Sequence, residues 1–496
     1  MQFFIDIALF LIYFYIFLLV LVYIWRFWIL YVNEKHLSSL KYVMLEVKLP
    51  REINKSPAAF EHVASALLQG GGLGKPYNIQ WLGNLPIMSS LEIASIEGTI
   101  HFYIRIQTKI RSLIESTLYA QYPNIEITEA DDYTKLVRYD RIKQDVSLWG
   151  SSFVLGGVWE TIDKDGKPLK KGKDAYKMPA DFLPIKTYVD YGLDKDPKEE
   201  YKNDPMIALL EFFGSISKGE YAWCQLLIQD ESVFNDKKFP KAYLNQVTHK
   251  RVSIKDMAKD RIKQIHSSSL KEKGTKVFDE YGYAVMEKTK EGEKEKQKTY
   301  QQDVVGSKKE MDLTPAEKDE IEAINNKIGK PLARCITRVM YVSKGKFNAN
   351  NIVPIMSIMK PYTGANNFRP NIVSGGGAYD YPWEDTFKKR SPWRAEDFFN
   401  DYVERAGFHP HVKKVDPKKN TGDIIFWNFK ASTRNFLHIF YQTIRHPLEH
   451  SEPSDVFTLN TEEIATMYHF PGEIASVPTL PRIDSIKGKA PVNLPL

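Results

Sequence analysis

The sequence predicts an α+β protein: an N-terminal transmembrane helix, then two ferredoxin-like (βαββαβ) or related domains, with a charged, partly disordered insertion. Three observations lead there. Ile7–Trp25 reads IALFLIYFYIFLLVLVYIW without a charge, residues 42–128 switch between strand-period and helix-period patterns, and residues 237–313 are dominated by Lys, Glu, Asp and Gln.

The apolar run, at 1.5 Å per residue, matches a hydrocarbon core of roughly 30 Å. Asp6 precedes it, no basic leader does, and no small-residue cleavage site follows, so a removable signal peptide is the poorer reading. Arg26, Lys35 and Lys41 all follow the run. That asymmetry places the rest of the chain on the cytoplasmic side of an inner membrane, crossed once, with the lipid bilayer as a partner.

Tyr42–Leu49 alternates, with Val43, Leu45, Val47 and Leu49 on one side. Phe60, Val63, Ala64 and Leu67 form a helical stripe behind Ser56-Pro57. Strands follow at 87–96 and 99–107, joined by Glu97-Gly98, then a helix carrying Ile110, Leu113, Ile114 and Leu118, then a short strand at 125–128. This order is β-α-β-β-α-β. A second core resumes at Asp204-Pro205 with the helix MIALLEFF, the strand at 221–229, a capping box at Thr314–Glu317, the strand at 332–342 and a helix at 350–359. The implied division is 1–33 anchor, 40–135 first domain, 136–203 connection, 204–470 second domain with its insertion at about 237–313, and 471–496 a proline-punctuated tail.

Several stretches invite a catalytic reading. LLQGGGLGKPYNIQW, Leu67–Trp81, resembles a phosphate loop, but Gln69 replaces its first glycine and Pro76 its hydroxyl residue, and the loop leads from a helix to a strand, the reverse of a P-loop. His446–His450 (HPLEH) matches an inverted zinc-peptidase pattern. Pro447 breaks the helix that would align the two imidazoles, which makes a zinc-dependent hydrolase the weakest class. His409–His411 lacks a further ligand at a recognisable spacing, and Gly375–Trp383 reads as an ordered loop. Cys224 and Cys335 sit in apolar, strand-like runs and read as packed thiols. The net charge of +6 and pI near 8.8 do not by themselves demand nucleic acid. A nucleic-acid-binding module is the alternative, with His101, Tyr103 and Arg105 on an open sheet face, although Phe102 falls on the helix-packed side. No catalytic, nucleotide-binding or metal residue and no cofactor is assigned.

VMLEVKLPREINKSPAAFEHV, YIRIQTKIRSLIESTLYAQYPNIEITEADDY, EYAWCQLLIQ, YDYPWED and FTLNTEEIATMYHFPGE together resemble the membrane-anchored N-terminal region of bacterial conjugation-type ATPases, relatives of type IV secretion coupling proteins. In that family a proline-rich run such as KAPVNLPL leads into the motor. This sequence carries no Walker A motif, so the family's nucleotide residues transfer to no position here. The resemblance implies a non-catalytic membrane scaffold of a DNA or protein translocation machine, oligomeric and docking a separate motor ATPase. Asn460 and Glu463 frame a capping box, and Ile464, Met467 and Tyr468 form an apolar stripe. With Leu494 and Leu496 of the tail, Glu463 and that stripe are the expected partner-docking strip, packing of the short helix back on its own second domain being the equal alternative.

Overall fold

A computed structural model describes residues 2–51, 53, 55–68, 76–140, 145–160, 177–194, 204–232, 251–268, 313–374, 390–408, 455–472 and 479–483, together with short strands between 243 and 300. The chain divides into two compact units. The first comprises 1–155, 185–239 and 331–496, and the second 156–184 and 240–330.

The first unit is built on one ten-stranded sheet. Its strands are β1 (Tyr42–Pro50), β2 (Met88–Ile96), β3 (Thr99–Gln107), β4 (Glu126–Glu129), β5 (Ser147–Leu155), β6 (Glu220–Asp230), β7 (Leu332–Ser343), β8 (Phe368–Ser374), β9 (Phe457–Asn460) and β10 (Arg482–Ile483). The helices of this unit are α1 (Gln2–Ser39), α2 (Ala58–Leu67), α3 (Pro76–Gln80), α4 (Arg111–Gln121), α5 (Pro205–Gly214), α8 (Ile352–Ser357), α9 (Arg390–Val403) and α10 (Thr461–Met467), while α6 (Ile254–Ser268) and α7 (Pro315–Gly329) belong to the second unit.

Across the sheet the order is β8-β5-β7-β6-β2-β3-β1-β10, with β9 also beside β7 and β4 beside β1. Every pairing is antiparallel except β1 with β10. The order contains a repeat. The series β1-α2-β2-β3-α4-β4 lies in the spatial order β4-β1-β3-β2, and β5-α5-β6-β7-α8-β8 lies in the order β8-β5-β7-β6. The halves join second strand to second strand, β2 to β6, from Met88 opposite Gln229 to Ile96 opposite Tyr221. The two separate domains expected from the sequence are thereby corrected to one mostly antiparallel sheet. The second half starts at β5, inside the stretch read as a connection, because about fifty residues separate that strand from α5 and hide the repeat.

One face of the sheet packs under α2, α4, α5, α8 and α10. Leu45 and Val47 of β1, Phe102 and Ile104 of β3, and Leu226 and Ile228 of β6 meet Phe60, Ile114, Met206, Ile355 and Ile464 in a single apolar core. The period-two rows of the strands explain the side each residue takes. Helix starts are chemically marked: the Asp204 carboxylate accepts from Met206 N at 2.8 Å ahead of Pro205, and reciprocal capping boxes join Thr314 to Glu317 and Asn460 to Glu463.

The membrane expectation is also corrected. Among the described residues, no helix is long and apolar enough to cross a membrane. The inner-membrane, single-pass localisation loses its basis with the span. At its C-terminal end α1 meets α3, where Trp28 donates Nε1–H to Gln80 O at 3.2 Å and lies 5.6 Å from the Trp81 ring.

The second unit contains α6 and α7, with the pairing of Val158–Glu160 with Lys177–Pro179 and of Tyr243–Leu244 with Arg251–Val252. Arg261 of α6 grips Glu320 of α7 through two hydrogen bonds, at 2.8 and 3.2 Å. The charged stretch around residues 289–298 lies largely outside the described residues, as do Asp163–Lys173, Gly70–Lys75, Gly375–Trp383, His409–His411 and His446–His450.

Candidate functional site

The opposite face of the sheet carries the polar chemistry. His101, Tyr103 and Arg105 lie on this face of β3, as alternation requires, but the face is not open. Tyr103 is buried and stacks on Tyr133 at 5.1 Å, His101 Nδ1 lies 2.6 Å from Glu46 Oε1, and the Arg105 guanidinium sits 3.9 Å over the Tyr42 ring. The covering elements are a 3-10 turn at Tyr133–Leu136 and α9, whose Ala395, Phe398, Phe399 and Tyr402 pack on Leu148, Trp223, Met340 and Val342. Gly150 makes room for α9: a Cβ there would stand 2.1 Å from the Phe398 ring. The expected open face is corrected to a covered one.

Beneath α9 lies a buried ion network. Arg405 donates Nε–H and Nη2–H to the two oxygens of Glu92, each at 3.0 Å, and its second Nη2–H to Asp132 Oδ1 at 3.0 Å. Its Nη1 donates to Asp132 Oδ2 and to Val403 O. All five guanidinium protons are used. Glu92 also accepts from Ser90 Oγ at 2.6 Å, Tyr133 OH at 2.7 Å and Gln225 Nε2 at 3.2 Å, and Tyr402 OH completes the chain by donating to Tyr133 OH at 3.0 Å. Burial pushes the Glu92 and Asp132 carboxyls upward, but the Arg405 charge and the hydrogen bonds outweigh it and hold both below the usual carboxylate range. Burial likewise opposes the charge on Arg405, and the two carboxylates more than offset it. Burial raises the Tyr133 hydroxyl well above its ordinary value, reinforced by Glu92.

Local structure aims Arg405. It follows α9 with φ of 54°, the left-handed position of a Schellman cap in which Ala406 N donates to Asp401 O at 2.9 Å and Arg405 N to Tyr402 O at 3.1 Å. Glycine is the usual residue there, and an L side chain costs about 1 kcal/mol. The ion network offsets that cost. Gln225 Oε1, by contrast, is buried with no hydrogen-bond partner.

The proposed docking strip is placed differently from expectation. Glu463, Ile464, Met467 and Tyr468 are all buried. Glu463 accepts from Ile185 N at 2.9 Å as well as from its own cap, and Tyr468 donates to Tyr103 O at 3.2 Å. Their apolar stripe faces the chain's own core, so they form no exposed strip. Leu494 and Leu496 lie outside the described residues. Among the described residues, no group of three or more His, Cys, Asp or Glu side chains could hold a metal ion. Sequence reasoning missed Glu92, Asp132, Gln225 and Arg405. Glu92 and Gln225 did leave a signal, as polar residues at interior positions of apolar strands that require partners.

Comparison with family models, with curated proteins and with solved structures returned no match.

Proposed function

We propose that this chain is a non-catalytic scaffold of a conjugation-like or type IV secretion-like translocation machine, and that it docks a separate motor ATPase. The observation that supports this reading is the use made of the buried charges. Glu92, Asp132 and Arg405 spend their hydrogen bonds on holding α9 to the sheet, a role in maintaining shape. Catalytic groups, by comparison, keep a donor or acceptor within reach of a substrate. The nucleic-acid reading is weakened by the cover over Tyr103.

Crosslinking of the full chain in its native cells, followed by mass spectrometry, tests the proposal. A motor ATPase among the crosslinked partners is the expected result, with less of it captured when Lys487–Leu496 is deleted. Crosslinks confined to nucleic acid, or salt-sensitive binding of single-stranded DNA by the purified chain without any ATPase partner, would replace this reading with the alternative.

A further inference from the structure

Two arginines share the covered face of the sheet, and they are used in opposite ways. Arg405 commits its guanidinium protons to Glu92, Asp132 and Val403 O. Arg105 of β3 commits none: among the described residues no acceptor bonds to its guanidinium, which instead lies over the face of the Tyr42 ring, 3.9 Å from its centroid. The neighbours of Arg105 are engaged elsewhere. Met44, opposite it on β1, is apolar, the hydroxyl of Ser90, opposite it on β2, donates to Glu92 Oε1, and Glu46 pairs with His101. Yet Arg105 is only partly exposed, and burial, reinforced by the Arg405 charge, pushes its pKa below the ordinary arginine value.

From this geometry we propose that the Arg105 fork, framed by Tyr42, is a binding site for a carboxylate. A guanidinium drawn away from water without an acceptor is unfavourable, and an anion that brings a pair of oxygens supplies what the chain does not. Stacking on Tyr42 fixes the plane of the fork before a ligand arrives, so planar recognition carries little further ordering cost. The Tyr42 hydroxyl accepts from Gln107 Nε2 at 3.5 Å, which leaves its own proton to donate to the same ligand. Charge selects a carboxylate over a phosphate. Arg105 and Arg405 against Glu92 and Asp132 sum to zero, so one added negative charge is tolerated better than the roughly two of a phosphate. A free small acid and an Asp or Glu side chain of another protein present the same pair of oxygens, and either is a ligand of this class.

The test uses the full chain with its arginines labelled with nitrogen-15, the Arg105 Nε–H resonance being the one that disappears in Arg105→Lys. If that variant does not fold, Tyr42→Leu assigns the same resonance through the lost ring current. Acetate, and separately a blocked peptide carrying a single glutamate, are titrated against chloride at equal ionic strength. A carboxylate is expected to shift the resonance to saturation, and chloride is not. Saturation by acetate makes a free acid a sufficient ligand, whereas saturation by the peptide alone assigns the seat to a side chain of another protein. The affinity for whichever carboxylate binds is expected to fall roughly tenfold in Arg105→Lys, which keeps the charge and loses the fork, and about threefold in Tyr42→Leu, which keeps the fork and frees its plane. The proposal is overturned if neither carboxylate saturates, if chloride reproduces the shift, if inorganic phosphate acts at lower concentration than both carboxylates, or if affinity is unchanged in the folded variants.

Discussion

Gln225 stands directly opposite Glu92 across the ladder that joins the two halves of the sheet, and its side-chain amide donates to the Glu92 carboxylate at 3.2 Å. One half thus offers an acid and the other its neutral counterpart, and only the acid recruits Arg405.

Glu92→Gln keeps the shape of the side chain but leaves Arg405 paired with Asp132 alone. Removing one partner of a buried ion pair costs about 3–5 kcal/mol. Urea unfolding is expected to show a loss of that size, with faster amide exchange along α9. A loss below about 1 kcal/mol would mean that the network does not hold α9.

Gly150→Val drives a branched side chain into the Phe398 ring. Overpacking of this kind costs about 1–3 kcal/mol. The double variant with Phe398→Ala should recover part of the loss, because the clash needs both side chains. Additive effects in the cycle would show that the two residues do not meet.

The pair of His469 and Asp204 gives stability a pH profile. His469 Nδ1 faces Ala465 O at 3.0 Å and Nε2 faces Asp204 Oδ2 at 2.9 Å, an arrangement that suits the doubly protonated ring. Burial opposes that charge, but Asp204 outweighs it and raises the His469 pKa above 6.5. Asp204, opposed by burial in turn, is held below 3.8 by His469. The histidine's contribution is therefore full below about pH 6.5 and lost as pH rises through the raised folded value. The aspartate's is present above about pH 3.8 and lost as pH falls through its lowered value. Melting temperatures measured from pH 3 to 9 should fall on both sides, and His469→Gln should flatten the alkaline limb. An alkaline limb of unchanged steepness in the variant would assign it to other groups.

The two-residue turn at Glu97-Gly98, with φ of 54° and 90°, closes β2 onto β3, whereas the corresponding connection from β6 to β7 runs from Glu231 to Pro331. Since Glu231 N donates to Leu332 O at 3.1 Å, the ladder is already closed at its base. Replacing 232–331 by Asn-Gly, a preferred two-residue hairpin turn, should leave amide protection in β6 and β7 unchanged. Loss of that protection would show that the sheet depends on the inserted chain.

Local chemistry was readable in the sequence, and distant chemistry was not. Alternation in 42–49 and 99–107 located β1 and β3 and placed His101, Tyr103 and Arg105 on one face, because each strand's period is a property of neighbouring residues. The caps at Asp204, Thr314 and Asn460 were visible for the same reason. The cover over that face comes from the Tyr133–Leu136 turn, about 30 positions further on, and from α9, about 300 positions further on, and no local pattern announces either. Burial of β7 on both sides erased its alternation. The stripe Ile464, Met467 and Tyr468 was correctly periodic, but periodicity shows that a face is apolar and not what covers it.

The distance between Glu92 and Arg405, 313 residues along the chain, also sets a timetable for synthesis. At about 5–20 residues per second, Arg405 leaves the ribosome roughly 15–60 s after Glu92. For that interval the nascent first half presents Glu92 and Asp132 as hydrated, repelling carboxylates on a sheet face that later becomes interior. Two acids that share one cation in the finished fold thus wait for it until α9 and Arg405 just after it have been made.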